Sequence, residues 1–498
     1  MTNYAIAASS TPVPPSIRPW RIMLVVVLTA IADWLLFGQQ VGISLALFVF
    51  AVAAGILVAN RGETDFPATL VCGGFLVTAV LPLIEDVNVM TALSAAFGLG
   101  GFALATTAAL RGDLKDRLVA VGWMLLSGPF RIFPDLPLLR TWLRERGLAA
   151  AAPILKGWIV PLVVGAIFVA LFAAANPLIA DWFANLPIKD WLGQIDGKRL
   201  LFWVIVFPIL WGIVPACGRW ILWPDVVDPA VAMLRPVALP DRLFDETAIR
   251  RSLVLFNLLF AVQTAMDVNY LWRGAALPNG MSYASYAHRG AYPLIVTALL
   301  AAVFVIIAMR PGSQAERSPT LRMLVFLWIG QNVLLVASSM LRLHLYVATY
   351  QLTYWRVAAF IWMLLVAAGL ILIVARIVSY HSNAWMVSAN LAMLVFTIWI
   401  CGFINFPFLV ASYNVEHAAD FAASGQSIDL CYIVELGPQA IPALDRYANV
   451  TTKPLPNFVR DRRNQLAATH LHEGANWRAW TFRGWRLTRY LQGSRPPS

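Results

Sequence analysis

Two acidic side chains, Asp33 and Asp267, fall inside long apolar runs of this sequence. An ionisable group is costly to bury in a bilayer, so each acid marks either a candidate site or a structural ion pair. Asp267 has the richer surroundings, because the polar hairpin of residues 267–290 follows it and carries Tyr, His and Arg. Arg offers planar forked donors that suit a carboxylate or a phosphate. This combination predicts a candidate anion-binding cluster.

The members of this candidate cluster share a position at the outer ends of four consecutive predicted spans. They are Asp267, Tyr270, Tyr283, Tyr286, His288, Arg289, Arg342, His344, Tyr346, Tyr350 and Arg356. Three interpretations stay open. The first is a set of Tyr and Arg residues of the kind found at any helix end in a membrane. The second is a structural ion pair of Asp267 with Arg289 or Arg342, and the third is a ligand-binding or catalytic pocket.

Other patterns that carry chemistry are weak or absent. The phosphate-binding GxxxxGK[ST], the HExxH and the GxSxG motifs do not occur. The four Cys show no metal-ligand spacing, and His470, His472 and Glu473 form only a weak zinc pattern. The glycines of residues 97–105 lack the strand of a dinucleotide site and favour close helix packing. We therefore predict no cofactor, no metal and no catalytic residue. Whether the protein is an enzyme stays open, and the missing motifs favour that it is not.

The elements that must hold the cluster are transmembrane helices. The chain of 498 residues is 60% hydrophobic and 13% charged, whereas a soluble protein carries roughly 25% charged residues. Apolar runs of about 20 residues, enough to cross a hydrocarbon core, recur along it. We predict an all-α fold, a polytopic transmembrane helical bundle of about 11 spans with a small helical C-terminal tail. The spans are 22–38, 41–59, 67–84, 88–110, 157–175, 200–218, 252–272, 291–309, 321–341, 355–375 and 385–408.

Basic residues set the predicted orientation. With the N-terminus in the cytoplasm, the cytoplasmic segments hold 20 Lys and Arg and the short outer loops hold seven. This excess predicts a multi-pass membrane protein with a cytoplasmic N-terminus and a C-terminus outside, which is periplasmic if the host is Gram-negative. The net charge of +11 is thereby explained without nucleic acid. The apolar stretch 118–130 is too short to span and is expected to be interfacial or re-entrant.

Five regions follow from this reading. They are a disordered cytoplasmic N-tail (1–21), a first membrane subdomain of four spans (22–110), a basic cytoplasmic segment (111–156), a second membrane subdomain of seven spans (157–408) and a periplasmic helical tail (409–498). The expected partners are the lipid bilayer and, through 409–498, a periplasmic protein. The aromatic and basic end, 476–491, is expected either to lie on an anionic membrane surface or to pack on the tail's own helices.

The sequence resembles a bacterial inner-membrane family, the domain of unknown function 4173, which is related to 4153. The resemblance covers roughly 160–450 and is carried by SYASYAHRG (282–290), LRLHLYVATYQLTYWR (341–356) and, in the tail, YNVEHA, IDLCYI and LGPQAIPAL. It implies a multi-pass inner-membrane protein of unassigned activity. It also implies that Tyr283, Tyr286, Arg289, Arg342, Tyr346, Tyr350 and Arg356 belong to the recurring family motif. No catalytic residue is implied.

Three functions are compatible with these observations. The first is a non-enzymatic envelope component that acts in sensing or scaffolding, favoured by the missing catalytic motifs and the appended tail. The second is a transporter or lipid-handling protein that uses the Asp267–Arg289–Arg342 region. The third is a membrane enzyme on a lipid-linked substrate, with Asp267 or His288 as general base and Arg289 as anion holder.

Overall fold

The computed structural model describes residues 19–60, 66–107, 112–133, 135, 161, 164–165, 168, 196–214, 246–273, 318–423, 425–451 and 455–493. The predicted span 291–309 lies outside these ranges, as do most of the predicted span 157–175 and most of the N-tail 1–21. The basic segment 111–156 is described over 112–133 and at 135.

Every regular element in these ranges is helical, which confirms the all-α fold class. The first ten helices are α1 (Pro19–Leu36), α2 (Ile43–Ala59), α3 (Phe66–Glu85), α4 (Val89–Ala105), α5 (Leu114–Ser127), α6 (Gly197–Ile213), α7 (Glu246–Asp267), α8 (Pro319–Tyr350), α9 (Tyr354–Val378) and α10 (Asn383–Cys401). The tail contains α11 (Phe406–Glu416), α12 (Ala418–Ala423), α13 (Leu430–Glu435), α14 (Ile441–Val450), α15 (Asn457–Glu473) and α16 (Phe482–Gly493). Short 3-10 turns span Gly128–Arg131, Pro438–Ala440 and Trp477–Ala479, and a π-helical turn spans Val268–Trp272.

Five of these helices are long and apolar enough to cross a membrane: α3, α8, α9, α10, and α7 continued to Trp272. The helices α2 and α4 are equally apolar but shorter. Helices suit a bilayer because they satisfy their backbone hydrogen bonds internally. The chain is therefore a helical membrane protein, while the number of about 11 spans stays a prediction.

The chain divides into two compact units, and the first comprises residues 1–80, 95–110 and 118–220. Small residues bring its helices close together. A Cβ on Gly98 would lie 2.7 Å from the Cβ of Ala79, and one on Gly212 would lie 2.4 Å from the backbone of Gly128. The glycines of 97–105 that were predicted to serve packing thus include at least one, Gly98, that faces a neighbouring helix.

The apolar stretch 118–130 belongs mostly to α5. Its side chains Val121 and Met124 are buried, and a Cβ on Gly100 of α4 would lie 2.7 Å from Val121 and 3.1 Å from Met124. A helix of 14 residues is about 21 Å long, shorter than a hydrocarbon core of about 30 Å. This helix therefore packs on the bundle of the first unit but does not have the length of a span.

The second unit comprises residues 81–94, 111–117 and 221–498. Its membrane core lies between α7, α8 and α9, where Leu253, Leu321, Trp328 and Ile373 belong to one buried apolar cluster. A second cluster joins the tail to the end of α8: Val347 and Leu352 are buried with Val410, Ile433 and Leu444 of the tail. The tail helices are thus built onto the membrane helices by a shared core.

A Gly-Pro turn joins α13 to α14 in the tail. Gly437 adopts φ +89°, a backbone conformation that glycine reaches without steric cost. Pro438 follows at the first position of the 3-10 turn, and α14 begins at Ile441. The turn brings α14 against α11 and α13, where Leu444 is fully buried.

Candidate functional site

The intramembrane acid Asp267 lies at the end of α7 and contacts Arg342 of α8. The Arg342 guanidinium donates a short hydrogen bond to Asp267 Oδ1. The Gln263 side chain, one turn earlier on α7, donates to the same oxygen at 3.1 Å. The two charged side chains are 0% and 5% exposed. Asp267 and Arg342 therefore form a buried ion pair between two long helices.

The backbone changes its hydrogen-bond pattern directly after this acid. Residues Val268–Trp272 form a π-helical turn, an arrangement that inserts one residue into a helix and often accompanies functional sites. Within it, the Trp272 indole donates to the Ser338 hydroxyl at 3.2 Å. Ser338 lies one turn before Arg342, so a second hydrogen bond joins the end of α7 to α8 close to the ion pair.

Arg356 occupies a different position from Arg342. Its guanidinium donates to the carbonyl oxygens of Tyr350 and Gln351 at the end of α8. The same guanidinium lies 4.5 Å from the ring centroid of Tyr346, whose ring is 4.9 Å from that of Tyr350. A cation at the C-terminus of a helix donates hydrogen bonds to the last carbonyl oxygens and interacts favourably with the negative end of the helix dipole. Arg356, Tyr346 and Tyr350 together cap α8.

The members of the predicted cluster that the structure describes form two groups, and these groups are one helical turn apart on α8. Asp267 and Arg342 form the first, and Tyr346, Tyr350 and Arg356 form the second. Tyr270 is half-buried on the π-helical turn, and His344 is exposed on α8. The remaining members, Tyr283, Tyr286, His288 and Arg289, lie outside the described residues.

The sequence did not reveal how the tail attaches to the α8–α9 turn. The Asn414 side chain, fully buried in α11, forms two hydrogen bonds with the backbone of Leu352, at 2.7 and 3.0 Å. The Gln351 side chain donates to the Ser427 carbonyl at 2.9 Å and accepts from the Asp429 amide at 3.0 Å. These paired bonds fix the turn in one orientation against the tail.

A second attachment joins α16 to the α3–α4 turn. Arg483, 4% exposed in its side chain, donates to Asp86 at 2.9 Å and to Glu85 at 3.4 Å. It also donates to the Gly402 carbonyl at 3.4 Å, at the end of α10. Arg486 forms a further ion pair with Glu85. A single buried guanidinium therefore contacts the ends of two membrane helices, α3 and α10.

The tail is held together by another buried pair. Arg463 of α15 donates to both carboxylate oxygens of Asp445 in α14, at 2.9 and 2.7 Å. Tyr490 of α16 donates to Asp445 at 3.1 Å. Burial and the neighbouring Asp445 carboxylate raise the pKa of Tyr490 to about 12, because both disfavour a phenolate. Three tail helices thus share one hydrogen-bonded centre.

One histidine of the weak zinc pattern, His470, joins two helices of the tail. The His470 Nε2 lies 3.1 Å from the Gly484 carbonyl oxygen and 3.3 Å from the Thr488 hydroxyl. These contacts join α15 to α16. Within the described part of the chain, no three His, Cys, Asp or Glu residues are grouped so that they could hold a metal ion.

The other acid singled out from the sequence, Asp33, lies on α1 in the first unit. It accepts hydrogen bonds from the Arg199 guanidinium, one of them at 2.8 Å, and from the Trp203 indole at 2.9 Å. Trp203 and Thr29 also line a cavity of about 530 Å³ with Val26, Phe207 and other apolar side chains. The Thr29 hydroxyl donates to the Val25 carbonyl of its own helix. The side chains named here make the cavity mostly apolar, and none of them is charged.

Comparison with known proteins identifies a family. The family model of a domain of unknown function, DUF4153, matches residues 72–447. The match confirms the predicted DUF4153-related family, and it begins well before residue 160, where the resemblance was expected to start. No curated protein and no solved structure matches the chain.

Proposed function

Because this chain belongs to the DUF4153 family, a domain of unknown function, we propose a function from the contacts of its tail. We propose a non-enzymatic envelope component of the bacterial inner membrane, in which the tail receives a partner and serves sensing or scaffolding. One observation carries this proposal. The tail is fastened to the α3–α4 turn, the α8–α9 turn and the end of α10.

The strength of these attachments favours a structural connection between tail and membrane helices. Val347 and Leu352 share a buried core with the tail, and Arg483 and Asn414 add buried polar contacts. Buried polar groups are costly to leave without their partners, so each contact resists separation. A partner bound to the tail would consequently act on α3, α8 and α10 together.

The predicted orientation supports a partner outside the cytoplasm. Lys and Arg number 20 in the predicted cytoplasmic segments and seven in the outer loops, the bias that directs helix insertion. On that scheme the tail and the turns it contacts all lie in the periplasm. The proposal therefore places the partner in the periplasm of a Gram-negative host.

The test must leave the tail in place, because deleting it would uncover the core around Val347 and Leu352. A photo-crosslinking amino acid is introduced in cells at Val450 or Phe458, which are 80% and 55% exposed on the tail. The matched control position is Met323, which is 72% exposed near the start of α8. Denaturing gels and mass spectrometry then identify protein adducts.

We expect a discrete protein adduct at one or both tail positions and none of the same mass at Met323. A scaffold or sensor has a stable surface for a partner, so the adduct should recur between preparations. Failure to find a discrete adduct at either tail position, or the same adducts at Met323, would contradict the proposal.

A further inference from the structure

The C-terminal helix α16 and the turn before it carry exposed aromatic side chains next to basic ones. Trp477, Trp480, Phe482 and Trp485 are 48%, 37%, 40% and 40% exposed. The Arg478 guanidinium lies 5.0 Å from the Trp477 ring, and that of Arg489 lies 5.2 Å from the Trp485 ring. We call Trp477, Arg478, Trp480, Phe482, Trp485 and Arg489 the aromatic–basic patch.

The patch residues of α16 lie on a different face of the helix from the residues that dock it against the rest of the protein. Arg483 and Leu487 are buried, and Tyr490 contacts Asp445. These three residues recur at intervals of four and three, so they form one stripe of the helix. Phe482, Trp485 and Arg489 recur at intervals of three and four on another stripe and are exposed. The patch is therefore available while α16 stays docked.

The place of α16 relates the patch to the membrane boundary. Arg483 contacts Glu85, the last residue of α3, and the carbonyl of Gly402, which follows the last residue of α10. Both helices are long and apolar enough to span a bilayer, so their ends mark the level where hydrocarbon gives way to headgroups. Trp is enriched at this level because its ring is apolar and its N–H is polar. Phe482 and Trp485 of the patch lie within one helical turn of Arg483.

The charge of this region complements a negative surface. Residues 457–493 contain seven Arg and two acidic residues. Arg463, Arg483 and Arg486 are engaged in ion pairs with Asp445, Glu85 and Asp86. Arg489 is exposed, and its guanidinium lies over the Trp485 ring. Guanidinium donors bind phosphate with good geometry.

We propose that the aromatic–basic patch binds the phosphate headgroups of anionic phospholipids in the leaflet that borders the tail. The rings enter the interface, and Arg478 and Arg489 contact phosphates. This lipid contact holds α16 against the membrane independently of the partner-binding role proposed above. A nucleic acid or an acidic protein would also meet the charge, but neither would explain the position at the ends of α3 and α10.

The experiment uses the full-length protein in nanodiscs. An environment-sensitive fluorophore is attached to Gln492→Cys, an exposed position near the end of α16, with the native cysteines replaced by alanine. Phosphatidylglycerol replaces phosphatidylcholine in steps, and the emission shift is recorded. Arg489→Gln is compared with Arg462→Gln, which removes an exposed arginine of α15 that contacts Gln465 of its own helix.

We expect a blue shift that grows with phosphatidylglycerol and is reversed by salt. One basic residue at an anionic surface contributes about 1 kcal/mol, equivalent to roughly fivefold in affinity. Arg489→Gln should therefore raise the phosphatidylglycerol fraction at half-maximal shift several-fold, whereas Arg462→Gln should leave it unchanged. Trp485→Ala should reduce the size of the shift.

Two results would overturn the proposal. If phosphatidylglycerol produces no shift in the protein with native α16, the patch does not bind anionic lipid, and a protein partner becomes its occupant. If Arg462→Gln weakens the response as much as Arg489→Gln, the response reflects the total charge of the tail and not the patch. Neither result bears on the crosslinking test of the partner site.

Discussion

Asp267 and Arg342 form an ion pair inside an apolar helix bundle, and each side chain can be buried there because the other is present. Each charge alone would be costly to bury, since both side chains are at most 5% exposed. Together, with Gln263 donating to the same carboxylate oxygen, they form a hydrogen-bonded ion pair at the junction of α7 and α8. The pair therefore joins the two helices by a buried polar contact in addition to their apolar packing.

The first prediction concerns this pair. Asp267→Asn leaves Arg342 buried without its counter-charge, which costs about 3–5 kcal/mol in comparable cases. We expect a marked decrease in the thermal unfolding temperature of the purified protein in detergent. Replacing both residues at once, as Asp267→Leu with Arg342→Met, should recover part of the loss, because no isolated charge remains.

Asp33 provides the matched control for the same chemical change. Its partner Arg199 is 51% exposed in its side chain, so Asp33→Asn leaves a charge that its surroundings can still solvate. A smaller decrease in unfolding temperature is expected. Equal decreases for Asp33→Asn and Asp267→Asn would show that burial of the pair is not what makes Asp267 important.

At the scale of elements, the apolar helices were predictable and their attachments were not. Runs of apolar residues indicated α7, α8 and α9 because hydropathy depends on local composition. The predicted ninth span ended at 341, whereas α8 continues to Tyr350. The charged Arg342 suggested an end to the span, but Asp267, 75 residues away in the chain, allows it to be buried within the helix.

The docking of the tail could not be predicted either, because it also depends on contacts between residues far apart in the sequence. Glu85 and Arg483 are 398 residues apart, and a single sequence holds no signal that links them. The basic and aromatic composition of 476–491 suggested either the membrane surface or the tail's own helices. Arg483 in fact contacts the ends of α3 and α10, while His470 and Gly484 join α16 to α15. Composition alone could not distinguish the buried arginine from its exposed neighbours.

The second prediction tests the attachment of α16. Arg483→Ala removes the guanidinium that contacts Asp86, Glu85 and Gly402. Hydrogen bonds to charged groups contribute about 1.5–3 kcal/mol each, so local opening of α16 should become at least tenfold more frequent. Limited proteolysis of the protein in nanodiscs should cleave the tail correspondingly faster.

Arg489→Ala is the control for this test in nanodiscs of phosphatidylcholine alone, where the proposed contact of Arg489 with anionic lipid is absent, because it removes an exposed arginine of the same helix. Its cleavage rate should stay close to that of the unmodified protein. A fast cleavage for Arg489→Ala, or an unchanged rate for Arg483→Ala, would mean that the ion pairs with the α3–α4 turn do not hold the tail.

At the scale of the whole molecule, the two attachments of the tail constrain the number of membrane crossings. The tail contacts Asp86 through Arg483 and the α8–α9 turn through Asn414 and Gln351. Both turns must therefore lie on the same side of the membrane as the tail, and an even number of crossings must separate them. Spans four to nine of the predicted scheme, six in all, lie between them. A further crossing at 118–130 would make this number odd.

The last prediction tests this reasoning with a thiol reagent that does not cross membranes. Cys431, which is exposed on α13, and Val89→Cys at the start of α4, where valine is 76% exposed, should both react from outside in intact spheroplasts. Lys115→Cys, at the start of α5 and exposed, should react only after lysis. The other cysteines are replaced by alanine. Reaction of Val89→Cys and Cys431 from opposite sides would contradict the docking of α16 on the α3–α4 turn, whereas a reversal of all three would contradict only the orientation inferred from charge.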